Sequence, residues 1–286
     1  MRIDEYNSFE SLLLRYRTAL KQLEDSGIRV ADGCRLRSYE IRLDQLLCDP
    51  RAAVEPEVVF AATFDLREID EVIEIMDHLP DSLDAEILQL LRKLASGNEH
   101  PDGDSSAPAR EAQYELYLGA VLRRAGISVK HGAPDLVASW QGQDFFIEAK
   151  RAASEKRFDD RLRSAVHQIR RLPRPGIIAI CADQLLRPTG GLMNVRTHDD
   201  LAPAVQGLLY TFMLGHAQIL RHRLDGERIA AVLWTARLPA RIDSTGHSAL
   251  GTSLHLDMFS SGTPEVDFAS AALRAYQEAQ SDAGVV

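Results

Sequence analysis

The chain has 286 residues, enough for one large domain or two ordinary ones, and its 45% hydrophobic and 26% charged content is that of a globular protein, not a disordered or fibrous one. A net charge of -9 argues against a protein that coats polyanions generically. Three widely spaced cysteines (Cys34, Cys48, Cys181) form no CxxC or Cys/His pattern, which sets aside a zinc or disulfide framework and leaves reduced thiols in a cytoplasmic protein.

The first predicted element is a helix over SFESLLLRYRTALKQLEDSG, with Ser8 as N-cap, an apolar stripe of Leu12, Leu13, Tyr16, Leu20 and Leu23, and Gly27 as stop. LREIDEVIEIMDHL and SLDAEILQLLRKLASG repeat that logic, with Pro80 between them and Ser82 as the next cap. From Glu55 to Asp104 there are fourteen Asp/Glu against three Lys/Arg. Residues 1–98 therefore read as a mainly helical, acidic N-terminal domain for regulation, oligomerisation or binding a protein partner. A packing extension of the remaining chain fits the pattern equally. Residues 99–108, inside the Gly-, Pro-, Ser- and Asp-rich ASGNEHPDGDSSAPA, read as a linker to a second domain over 109–286.

That second domain alternates. A helix from about Ala109 to Ala125, stopped by Gly126, precedes strands at 127–130, 134–140 and 144–149, the last two joined by a QGQD turn. A helix at 154–172, a strand at 176–182, a long helix at 201–223, a strand at 228–238, a further strand near SLHLDMF and a final helix from about Val266 complete it. The order predicts an α/β sandwich with a mixed sheet. The longest apolar tract, 201–220, carries Gln206, His216 and Gln218, which suits a buried helix better than a membrane span, so no membrane partner is expected.

The chemistry concentrates in GAPDLVASWQGQDFFIEAK, residues 132–150. Glu148 and Lys150 are two apart in a strand and share a face, while Ala149 points the other way. If the flanking strands pair through the turn, Asp135 comes opposite them. Two carboxylates and an ammonium then converge at one sheet end, a set suited to phosphodiester hydrolysis: hard carboxylates for Mg²⁺, with the Ala149 carbonyl as a further ligand, and an amine to orient water or steady the transition state. The plainer reading is a salt-bridged strand end.

Pro134-Asp135 and Glu148-Ala149-Lys150, on a helix, three strands, helix, strand order, resemble the PD-(D/E)XK nuclease superfamily over roughly residues 108–240. The resemblance implies a three-layer α/β/α restriction-endonuclease-like core, Asp135 and Glu148 as ligands of Mg²⁺ (or Mn²⁺), and Lys150 as the catalytic lysine. Many members carry a glutamate on the preceding helix; Glu115 is the candidate, with Glu111 one turn earlier as the alternative. Some place a glutamine on the following helix, and Gln168 is its match. Along that helix Arg157, Arg161, Ser164, Gln168 and Arg171 form a polar ridge able to hold backbone phosphates. From Ala149 to Arg174, nine Lys/Arg face three Asp/Glu. The expectation is a Mg²⁺-dependent endonuclease acting on DNA rather than RNA, in prokaryotic defence or repair by family analogy, with a homodimer favoured if both strands are cut. Its rivals are a catalytically silent nucleic-acid- or protein-binding member of the same fold, and an RNA-directed toxin-type nuclease whose acidic N-terminal domain covers the basic ridge.

Overall fold

A computed structural model describes residues 9–48, 56–97, 108–152, 154–186, 193–245, 248–259 and 263–282. Four helices come first: α1 (Phe9–Asp25), α2 (Arg35–Cys48), α3 (Pro56–Asp77) and α4 (Ala85–Leu94). The whole predicted stripe of α1 is buried. Gly27, at φ +79°, turns the chain so that the Ile28 N–H reaches the Leu23 carbonyl and closes the helix. Ser8 and residues 99–107 of the expected linker lie outside the described residues. Three differences stand out. Helix α2 was not anticipated, and α3 begins ten residues before the expected LREIDEVIEIMDHL stretch. The cap of α4 is Asp84, not Ser82: its carboxylate accepts the Ile87 N–H at 2.8 Å.

Helix α5 (Pro108–Arg124) leads into the antiparallel strands β1 (Ser128–His131), β2 (Leu136–Trp140) and β3 (Gln143–Arg151). The β2–β3 turn is two residues, Gln141 at φ +49° and Gly142 at φ +75°, the left-handed pair that matches strand twist in tight hairpins. After α6 (Glu155–Ile169), β4 (Gly176–Cys181) pairs parallel to β3. Strand β5 (Met193–Val195), helices α7 (Leu201–Gly215) and α8 (Ala217–Leu224), strands β6 (Ile229–Ile242) and β7 (Ser248–Met258), and helix α9 (Pro264–Asp282) come next. β4 and β5 run parallel to successive lengths of β6, and β7 lies antiparallel along it, so the sheet is mixed as expected. The expected single helix at 201–223 is broken at His216, whose φ of -106° and ψ of 10° leave the helical region and whose Nδ1 lies 2.9 Å from the Phe212 carbonyl.

The sheet divides two hydrophobic clusters. One joins α1–α4, α5 and α9 to the face carrying Ile147, Ile177, Ala179 and Leu233. The other joins α6, α7 and α8 to Ile178, Ile180, Val232 and Trp234. Three α/β/α layers result, and the first four helices share one core with α5 instead of standing apart. They pack on the face opposite α6, and two of their acidic residues, Glu68 and Glu71, are paired with buried arginines. Among the described residues, no helix is long and apolar enough to cross a membrane.

Candidate active site

Strand β3 alternates. Phe145, Ile147, Ala149 and Arg151 face the layer of α5 and the N-terminal helices, whereas Glu148, Lys150 and Ala152 face α6. β2 pairs with β3 from Leu136↔Ile147 onward, which leaves Asp135 at the strand mouth opposite Glu148. Asp135 Oδ2 accepts the Ala149 N–H at 2.9 Å and a Lys150 Nζ hydrogen at 2.8 Å; Lys150 Nζ also donates to Glu148 Oε2 at 2.8 Å. The structure thus brings together Asp135, Glu148 and Lys150, with the amide of Ala149.

The site is tight. The side chains of Lys150, Asp135 and Glu148 are 14%, 21% and 1% exposed, so solvent screens their charges weakly. Burial pushes the Glu148 carboxyl up to about 7, and Asp135 adds to that against the pull of Lys150. Burial alone would lower the Lys150 ammonium, but Asp135 and Glu148 more than offset it, so Lys150 stays protonated at neutral pH. Its role is therefore that of a donor, not a base.

From α5, Glu111 and Glu115, four apart on one helix face, both sense Asp135 and Lys150. Burial pushes Glu115 up to about 8, with Asp135 adding to it and Lys150 and Lys93 opposing. His131, at the end of β1, meets Glu115: its Nδ1 lies 3.2 Å from Oε1. Burial, with Arg123 nearby, brings His131 down to about 4, so the ring is neutral. Its Nε2 is buried without a hydrogen-bond partner and faces Gly119, where an added Cβ would stand 2.9 Å away. Gly119→Ala should therefore push the imidazole off Glu115 and cost about 1–3 kcal/mol, read by urea denaturation; an unchanged midpoint would show that the ring has room to retreat.

The raised carboxyls set a pH dependence. Between about 4.5 and about 8 the folded chain keeps protons on Glu148 and Glu115 that the unfolded chain has released, so metal-free stability falls as pH rises through that window. Glu115→Gln should flatten the fall and stabilise the metal-free protein at about pH 8 by on the order of 3 kcal/mol. Thermal melts across pH in EDTA check this; a wild-type melting temperature that rises over the window would contradict it.

Helix α6 contributes unevenly. Arg161 forms an ion pair with Glu111, whose carboxyl burial raises against the opposing pull of Arg161, Lys150 and Arg157. Gln168, expected beside the site, is not brought there. α6 starts at the Lys150 end of β3 and runs back, and Ile169 packs on Gly176, which stands four positions before Ile180, the partner of Lys150. At about 3.3 Å per residue that puts Gln168 about 13 Å down the sheet. There it meets Ser164 Oγ at 3.5 Å, and Arg171 meets His167 at 2.7 Å. The ridge is thus real as a helix flank, but only its Arg157–Arg161 end reaches the site.

Behind Lys150 lies a charged network that sequence reasoning missed. Arg151 approaches Glu68 at 3.2 Å, Glu71 at 3.5 Å and Asp183 at 3.6 Å; Arg67 reaches Asp183 at 3.0 Å and also contacts Glu68; Arg35 meets Glu68 at 2.5 Å and Arg110 meets it at 3.6 Å. All of these groups are at most 4% exposed. One signal was available: Arg151 stands at the parity of Phe145, Ile147 and Ala149, the buried face.

The donor set fits a hard divalent cation. Asp135 and Glu148, with the Ala149 carbonyl between Glu148 and Lys150 in sequence, are the oxygens that could hold one, and the raised Glu148 marks buried carboxylate that the Lys150 ammonium does not fully offset. Among the described residues, no group of three or more His, Cys, Asp or Glu is placed to hold a metal ion. No protein-family model matches the chain, and no curated protein matches it.

Proposed function

We propose that the chain is a metal-dependent nuclease of the PD-(D/E)XK kind, hydrolysing phosphodiester bonds, with DNA as the expected substrate. The observation that carries this reading is Lys150 Nζ at 2.8 Å from both Asp135 and Glu148 at the mouth of a β-hairpin. Mg²⁺ or Mn²⁺, when bound by Asp135, Glu148 and the Ala149 carbonyl, would lower the pKa of a coordinated water and offset phosphate charge. The protein's own groups do the rest. The Ala149 N–H fixes the Asp135 carboxylate. The Lys150 ammonium has three hydrogens, of which two go to these carboxylates; the third is available to a phosphate oxygen or to the attacking water. Arg157 and Arg161 offer guanidiniums to the flanking phosphates.

The test is cleavage of plasmid and short single-stranded DNA in Mg²⁺ or Mn²⁺ against EDTA, with Asp135→Asn as the matched variant. Metal-dependent cutting by wild type and about a thousandfold loss in the variant is expected. Inactivity of wild type on both DNAs, together with calorimetry showing no Mn²⁺ binding that depends on Asp135, would leave a non-catalytic binding module.

A further inference from the structure

Glu111 and Arg161 lie on opposite layers of the molecule, α5 on one face of the sheet and α6 on the other. Their ion pair closes across the sheet end where Asp135, Glu148 and Lys150 converge. It is an unusual contact in two respects. Both side chains are about a third exposed, so the pair sits at the mouth and not in the core. The contact also lacks hydrogen-bond alignment, leaving Glu111 Oε1 buried with no hydrogen-bond donor. Two neighbouring arginines are differently placed: Arg163 of α6 is paired with Asp160, and Arg170, just past the helix, with Glu227.

We propose that Glu111 is an internal stand-in for phosphate: it holds the Arg161 guanidinium across the mouth, and a phosphate of the incoming nucleic-acid strand displaces it. This rests on the nuclease reading above. The chemistry is an exchange of like for like. Carboxylate and phosphate both offer a guanidinium two oxygens in a plane, but the phosphodiester arrives with its neighbours, and Arg157, one helical turn before Arg161, takes the next charge. Glu111 then swings away from a surface where, beside Asp135 and Glu148, it would repel the strand. The latch selects polyanions: a single small anion gains too little from Arg161 alone to displace a tethered carboxylate, whereas a strand engages both arginines at once.

Binding of a short fluorescein-labelled single-stranded DNA, followed by anisotropy at low salt in EDTA so that no cleavage occurs, tests this. The proteins are wild type, E111Q, R161A and the double variant. E111Q should bind about five- to tenfold tighter than wild type, and R161A about five- to tenfold weaker, the effect of adding or removing a single arginine–phosphate pair. The double variant should bind no tighter than R161A. An unchanged Kd in E111Q overturns the proposal. So does a gain that persists without Arg161, which would be only the loss of one negative charge. Loss of Mn²⁺ affinity in E111Q, by calorimetry, with strand binding unchanged also overturns it and makes Glu111 a metal ligand. If no protein binds the strand while metal-dependent hydrolysis of bis-p-nitrophenyl phosphate persists, the latch alone falls; if both are lost, the nuclease reading falls with it.

Discussion

Glu68→Ala should lower the stability of the protein by about 3–5 kcal/mol. Glu68 is fully buried among four guanidiniums, Arg35, Arg67, Arg110 and Arg151. Burial alone would raise its carboxyl, but Arg110, Arg67, Arg151 and Arg35 hold it well below the usual carboxylate range. Removing it leaves those cations facing one another, with Glu71 and Asp183 left to offset Arg67 and Arg151. Domains are stable by about 5–15 kcal/mol in all, so a loss of this size brings the protein close to unfolding at ordinary temperature. Urea denaturation followed by circular dichroism reads the effect. A control is Arg163→Ala, which breaks a pair whose members are 63% and 65% exposed and should cost under about 0.5 kcal/mol. If Glu68→Ala cost no more than the control, the network would have to be open to water.

Lys150→Ala should reduce metal-dependent cleavage by about a thousandfold or more while leaving metal binding intact. The ammonium competes with a cation for Asp135 and Glu148, since it donates to both. Its loss frees those oxygens, so Mn²⁺ affinity by calorimetry should hold or tighten at neutral pH. Asp135→Asn should lose both readouts. The opposite pattern in Lys150→Ala, weakened Mn²⁺ with rate loss in proportion, would recast the lysine as a scaffold for the carboxylates. Equal cleavage by wild type and variant would mean a contaminant or a site elsewhere.

The hairpin and its three charged residues were legible because strand parity is local: Glu148 and Lys150 share a face whatever surrounds them. Glu115 was named through the family resemblance, which asks for a glutamate on the helix before the hairpin. His131 was not, because its contact with Glu115 depends on how closely α5 crosses β1 at Gly119. Gln168 was placed at the site by the family resemblance; the direction of α6 along the sheet, a tertiary fact, carries it away. α2 went unseen because buried Arg35 sits where an amphipathic pattern wants a hydrophobe. β5, at three residues, is too short for alternation to register.

The neighbours Lys150 and Arg151 point to opposite faces of one strand, the first into the candidate site and the second into the carboxylates of α3. The helical segment is therefore no cassette that recombination can exchange for another. A replacement would have to bring its own acids to the places of Glu68 and Glu71, or leave Arg110 and Arg151 in the interior without them. Substitutions at these acids and at Arg35, Arg67, Arg110 and Arg151 should accordingly be inherited in step, and the strand carrying the chemistry should covary more tightly with a helix some eighty residues upstream than with its own following helix.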